Sequence, residues 1–278
     1  MKAILSILVF AGICQGASII GGEGVTVQKG VVGHNQTRTK ASSQTLTCYD
    51  YSGGGGDSVR AIDYIPALRN YNFDNRIGSC CFTGTWFLYA EENYNGYNTG
   101  SANWWAYGDN YCLDVPVRFL FQTDYKLKEI SNYYQAAFDN QASSLRFTGA
   151  PDDWKYDTIN LYFNDYFIGD EEFTYNDMTQ LNYDNRAKSI VVTGCSSWTV
   201  YQYNNYQGRA MCLFPSDSSK CTPGLYPTSA SLGSLASDIS SVRRGCYAKE
   251  KVYPVNYMGG MERGSRGGSG ATGLFIQN

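Results

Sequence analysis

An aromatic residue with a glycine seven positions later occurs four times along this chain: Tyr49…Gly56, Tyr89…Gly96, Tyr162…Gly169 and Tyr201…Gly208. In the last three copies a second aromatic, Tyr94, Phe167 or Tyr206, stands two residues before the glycine. Each pair leads to a six-residue block, running from Asp74 to Ser79, Asp139 to Ser144, Asp184 to Ser189 and Ala236 to Ser241. A further glycine closes each block, at Gly84, Gly149, Gly194 and Gly245. Such a repeat constrains the fold more than any single motif, because one unit cannot bury its apolar face without a neighbouring copy.

The chemistry of each half is legible. From Leu88 to Gly96 a strand enters a turn that folds back on itself. The glycine takes a backbone angle that a β-carbon would strain, and the two aromatics cover the fold. Asp and Asn open the following loop by bonding nearby amides. The closing serine can tie that loop to the hairpin, and runs such as Ser189-Ile190-Val191-Val192-Thr193 supply the last strand. With 24 Tyr, 13 Phe and 30 Gly, the composition favours short strands and tight turns over helices.

Lys2 followed by the uncharged apolar run Ala3 to Cys14 and by Gln15-Gly16 reads as a secretory signal peptide, too short to span a bilayer. The chain is therefore expected outside the cell, with no membrane span. A net charge of −3 gives no reason to expect nucleic acid. Past Cys14, Cys48, Cys80, Cys81 and Cys112 precede Pro151, and Cys195, Cys212, Cys221 and Cys246 follow it. In an oxidising compartment this predicts two disulfides per domain, with the pairing open. Cys80 and Cys81, on one strand, point to opposite faces and so take different partners. Asn35-Gln36-Thr37 is a glycosylation sequon. The expected organisation is a signal peptide over 1–16, an extended arm over 17–44, domains over 45–150 and 151–247, and a Gly-rich flexible tail over 248–278.

The hairpin and the closing serine resemble those of the βγ-crystallins. The resemblance runs from Thr45 to Cys246. It implies an all-β protein of two Greek-key β-sandwich domains, each built from two repeats that exchange a strand between sheets. The first repeat departs from the pattern with Gly54 in place of the second aromatic. Asn110 to Ile130 and Pro215 to Thr228 read as insertions. The six-residue block is also similar to the family's calcium motif, two Asp/Asn, two further residues, then Ser/Thr-Ser. Calcium requires six to eight oxygen ligands. The resemblance implies a ligand set of Ser143, Asn75, Glu91, Asp139 and Asn140 in the first domain, and Ser240 with Asn185 in the second. Gly78 and Lys188 stand at the hydroxyl position of the other two repeats and supply no ligand.

Other motifs carry less. Ile19-Ile20-Gly21-Gly22 looks like the start of a chymotrypsin-like protease, but His34 is the chain's one histidine and no triad follows. Gly53 to Gly56 lacks the Gly-Lys-Ser/Thr ending of a phosphate loop. Trp104, Trp105 and Tyr107 can stack on a sugar or pack a core. The expected function is a secreted, non-enzymatic protein that binds calcium weakly and serves a structural or protective role. The alternative is an extracellular protein for a glycan, lipid or chromophore, using the surplus aromatics and the insertions. The partners expected are extracellular matrix, glycan or further copies of the chain.

Overall fold

A computed structural model describes residues 43–98, 100–115 and 138–254. The signal segment, nearly all of the arm with His34 and Asn35, and most of the tail lie outside the described residues.

The first half contains β1 (Thr45–Tyr51), β2 (Gly55–Ala61), β3 (Ser79–Tyr89), β4 (Asn103–Asp114) and β5 (Ser144–Thr148). β3 and β4 serve two sheets. Ser79–Thr83 of β3 pairs with β1, which pairs with β2, while Thr85–Tyr89 pairs with β5. β4 follows β3 along both segments, with a register shift between Phe82 and Gly84. An isolated bridge from Ile65 to Leu145 completes the second sheet. Gly84 marks the corner at φ +105°, where a β-carbon would lie 2.2 Å from Gln44 Oε1. Only glycine fits there.

The second half repeats the plan with β6 (Thr158–Tyr162), β7 (Glu171–Thr174), β8 (Ser189–Thr193), β9 (Trp198–Tyr203), β10 (Gln207–Leu213), β11 (Gly224–Tyr226), β12 (Ser241–Arg244) and β13 (Glu250–Val252). One sheet runs β11-β8-β6-β7 and the other β12-β9-β10-β13. A bridge from Met178 to Val242 mirrors that of Ile65. Each repeat thus lends its third strand to the other repeat's sheet, the Greek-key exchange.

Two segments differ from the sequence reading. Asn110 to Asp114 belongs to β4, held to β3 by the Cys81–Cys112 disulfide and the register Ser79↔Asp114. Gly224 to Tyr226 is β11, the strand its repeat lends to β8. Residues 116–130 of the first expected insertion lie outside the described residues, and in the second the segment 214–223 separates β10 from β11.

Strand alternation sorts the core. Ile159, Leu161, Ile190, Val192 and Tyr226 fill the second sandwich, whereas Tyr162, Val191 and Leu225, on the opposite face of the same sheet, join the core of the first half. That sheet is buried on both faces, so the run from Ser189 to Thr193 is apolar through its centre. The disulfides are Cys48–Cys80, Cys81–Cys112, Cys195–Cys221 and Cys212–Cys246. None crosses Pro151. The adjacent Cys80 and Cys81 point to opposite faces of β3 and staple it to both neighbouring strands.

Candidate functional site: the interlocked loops

Every repeat carries the same serine clamp. Ser79, Ser144, Ser189 and Ser241 each donate from Oγ at 2.6 Å to a hairpin carbonyl, of Tyr51, Glu91, Asn164 and Tyr203 respectively. Each hydroxyl then accepts from the amide of Gly54, Tyr94, Phe167 or Tyr206 at 3.0 to 3.1 Å. Those four residues lie in the left-handed region, with φ of 77°, 60°, 60° and 61°. A bulky side chain is strained there, and the clamp holds it in place. Gly54 meets the same backbone demand without strain. In the other three repeats the two aromatics meet at 5.8, 5.5 and 5.5 Å between ring centroids.

The six-residue loops lock in pairs. Asn75 N donates to Ala142 O at 2.9 Å, and Asn140 N returns a bond to Ile77 O at 3.0 Å. Asn185 N to Ile239 O at 3.0 Å and Ser237 N to Ala187 O at 2.8 Å repeat the exchange. The donors sit at φ of 54° to 60°, which Asn tolerates best among non-glycine residues. The amide of each fifth residue, Gly78, Ser143, Lys188 and Ser240, donates to the first aromatic's carbonyl at 2.8 to 2.9 Å.

This lock brings together most of the sequence-predicted ligand set. Ser143 lies one residue before the clamp, beside the loop that holds Asn75. The side-chain amides of Asn75 and Asn140 donate back to Asp74 and Asp139. Glu91 has its carbonyl in the clamp, and its carboxylate accepts from Asn98 at 2.8 Å and from Ser101. In the second half Ser240 Oγ donates to Gln202 O at 2.7 Å and to Asn185 Oδ1 at 3.4 Å. The two halves therefore differ: the Ser240 hydroxyl is satisfied internally, and the Ser143 hydroxyl meets no partner among the described residues.

Asp74 was not among the predicted ligands. Its Oδ1 is buried without a hydrogen-bond partner. The signal was present, since Asp74 takes the first position of its block as Asp139 does in the next. Burial, and then the nearby Asp114 carboxylate, push the Asp139 carboxyl above its usual value. A cation at these loops would relieve both conditions. Among the described residues no three His, Cys, Asp or Glu side chains converge as a metal cluster, so hydroxyl, amide and carbonyl oxygens would have to supply most of any ion's shell. Trp104 and Trp105 are buried core residues, which removes them as an open sugar platform. No helix among the described residues is long and apolar enough to cross a membrane.

Residues 158–244 match the family described as Beta/Gamma crystallin. No curated protein matches the chain by sequence. Among solved structures, geodin, a βγ-crystallin from Geodia cydonium, is 19% identical, with 73% of this chain and 99% of geodin aligned at a TM-score of 0.49. A βγ-crystallin from Ciona intestinalis is 24% identical over 31% of this chain and 98% of its own, TM-score 0.27. Protein S, solved in complex with calcium, is 16% identical over 72% of this chain and 98% of its own, TM-score 0.24. The second half, residues 158–244, is thus a Beta/Gamma crystallin domain, and the first half carries the same clamp and loop lock.

Proposed function

We propose that this is a secreted, non-enzymatic βγ-crystallin that binds calcium weakly through its first pair of loops and serves an extracellular structural or protective role. The observation that carries the calcium reading is the contrast between equivalent serine hydroxyls: that of Ser240 is bonded internally and that of Ser143 is not, while the loop paired with Ser143's holds a buried Asp74 oxygen with no donor. Ser143, Asn75, Asp74 and Asp139 would hold the ion, and bound calcium would supply positive charge shared between two loops that otherwise join through backbone bonds alone. Lys188 and the satisfied Ser240 make the second half the poorer site. Four disulfides suit an oxidising compartment. The polar side chains of the repeats are spent on closing the fold, which favours structure over catalysis.

With few carboxylates, affinity is expected in the range of extracellular modules, a Kd of about 10⁻⁴ to 10⁻³ M. Calorimetric titration of the purified mature protein tests this. The expected result is one dominant site that disappears in Ser143→Ala. The same heat and stoichiometry in Ser143→Ala would overturn the assignment.

A further inference from the structure

Tyr51 and Tyr203 occupy the same place in the first and fourth repeats, two residues after the first aromatic, and the two residues are 66% and 56% exposed. The carbonyl of each is held by its clamp serine, Ser79 or Ser241. Each ring also lies against its own hairpin glycine: a β-carbon would come within 2.8 Å of the Tyr51 ring at Gly56 and 2.7 Å of the Tyr203 ring at Gly208. The two phenols are thus fixed in place with their outer edges in water, and neither hydroxyl meets a partner among the described residues. Tyr156 is also exposed but lies outside the repeated hairpins, whereas most other exposed tyrosines are engaged. Tyr97 donates to Asp170 at 2.7 Å, Tyr247 carries the Arg243 guanidinium at 4.1 Å, and Tyr253 stacks on Phe214 at 4.7 Å. The equivalent position in the two middle repeats is Glu91 and Asn164, and the middle hairpins face each other, with Tyr89 donating to Phe167 O at 2.7 Å. The two open phenols therefore stand on the hairpins that take no part in that contact.

We propose that Tyr51 and Tyr203 are oxidative cross-linking sites that join copies of this protein through dityrosine. The co-reactants are hydrogen peroxide and a peroxidase acting by one-electron steps. Each phenol gives up one electron and its hydroxyl proton, and two phenoxyl radicals from different molecules form one carbon–carbon bond beside their hydroxyls. The ring hydrogens on the joined carbons then move to oxygen, restoring both phenols. Peroxide takes the two electrons and two protons and leaves as two waters. Two sites per molecule on separate hairpins make the monomer bivalent, so the product is a chain. This rests on the extracellular structural reading for its setting, but not on calcium.

The test treats the purified mature protein with a haem peroxidase and hydrogen peroxide in chelator, so that failure of the calcium assignment leaves the result intact. Dityrosine fluorescence, a ladder on reducing denaturing gels and mass mapping report the product. Wild type should form a ladder with cross-links at Tyr51 and Tyr203. Tyr51→Phe and Tyr203→Phe should each stop at the dimer, and the double variant should lose the ladder. Near-ultraviolet circular dichroism confirms that the variants are folded. A ladder that persists in the folded double variant, or cross-links mapping to Tyr156 or to tyrosines outside the described residues, would overturn the proposal.

Discussion

Ser144 donates to Glu91 O while accepting from the amide of the strained Tyr94. Replacing it with alanine leaves a buried donor unpaired, which costs about 1–3 kcal/mol. Ser144→Ala should lose that much in chemical denaturation with or without calcium, and Ser79→Ala should behave likewise in the first repeat. Ser143→Ala removes no internal bond of the hydroxyl, so its effect should appear only as loss of the calcium-dependent gain. Asp139 adds a pH signature. Its pKa is raised in the fold, so the native state keeps a proton where the unfolded chain has released it, and stability falls as pH rises through that window. Asp139→Asn should flatten this acid-side dependence of the thermal midpoint and weaken the calcium response. A slope unchanged from wild type would show that Asp139 is not the group responsible. At this scale the clamp was readable, because a serine at a fixed place in every block has one repeated use. Asp74 was harder, because its distinguishing property is an oxygen left without a donor, and only packing reveals that.

Cys80 and Cys81 show how one strand's alternation distributes two staples. Cys48–Cys80 lies in the core, while Cys81–Cys112 bridges β3 to β4 with Cys112 exposed. Cys81–Cys112 should be reduced before Cys48–Cys80 by a mild dithiol, read by mass mapping of the alkylated cysteines. The Cys81→Ala/Cys112→Ala protein should fold but lose about 2–4 kcal/mol. Earlier reduction of the buried pair would contradict this ordering. The hairpins, loops and strand-exchanging plan were foreshadowed by the repeat, since each copy carries its own turn chemistry. The ends of β4 and the short β11 were not. A strand lent to another repeat's sheet is specified by its distant partner, and its own three to five residues carry too little pattern to declare it. β5 misleads in another way. Ser144-Leu145-Arg146-Phe147-Thr148 alternates as a half-exposed strand would, yet every residue in it is buried.

That burial is where the two halves become one molecule. Leu145 and Phe147 face the first core, and the other face of β5 turns Arg146 toward the second half. Fully buried, its guanidinium donates to Tyr89 Oη at 3.0 Å, Gly169 O at 3.0 Å and Phe167 O at 2.7 Å. It lies over the rings of Tyr89, Tyr94 and Tyr162 at 5.2, 4.8 and 4.9 Å, contacts strengthened by the absence of water. Burial pushes the Tyr89 and Tyr94 phenols up, so they remain neutral partners at any physiological pH. The countercharge is Glu171, also fully buried, which accepts from Tyr64 at 2.8 Å and Tyr162 at 3.1 Å. Phe87 stacking on Phe167 at 4.9 Å supplies apolar contact around this polar centre. Removing one member of a buried charged set typically costs about 3–5 kcal/mol, because the remainder is left uncompensated. Wild type is therefore expected to unfold in a single calorimetric transition, since neither half retains its outer face when the other melts. Arg146→Ala should lower the midpoint and split the transition in two, as each sandwich keeps its own core and its own two disulfides. Arg146→Met with Glu171→Gln, which removes both charges and keeps the volume, should recover part of the loss. A single transition in Arg146→Ala, shifted but undivided, would mean that apolar packing around Phe87 and Phe167 suffices to couple the halves without the buried arginine.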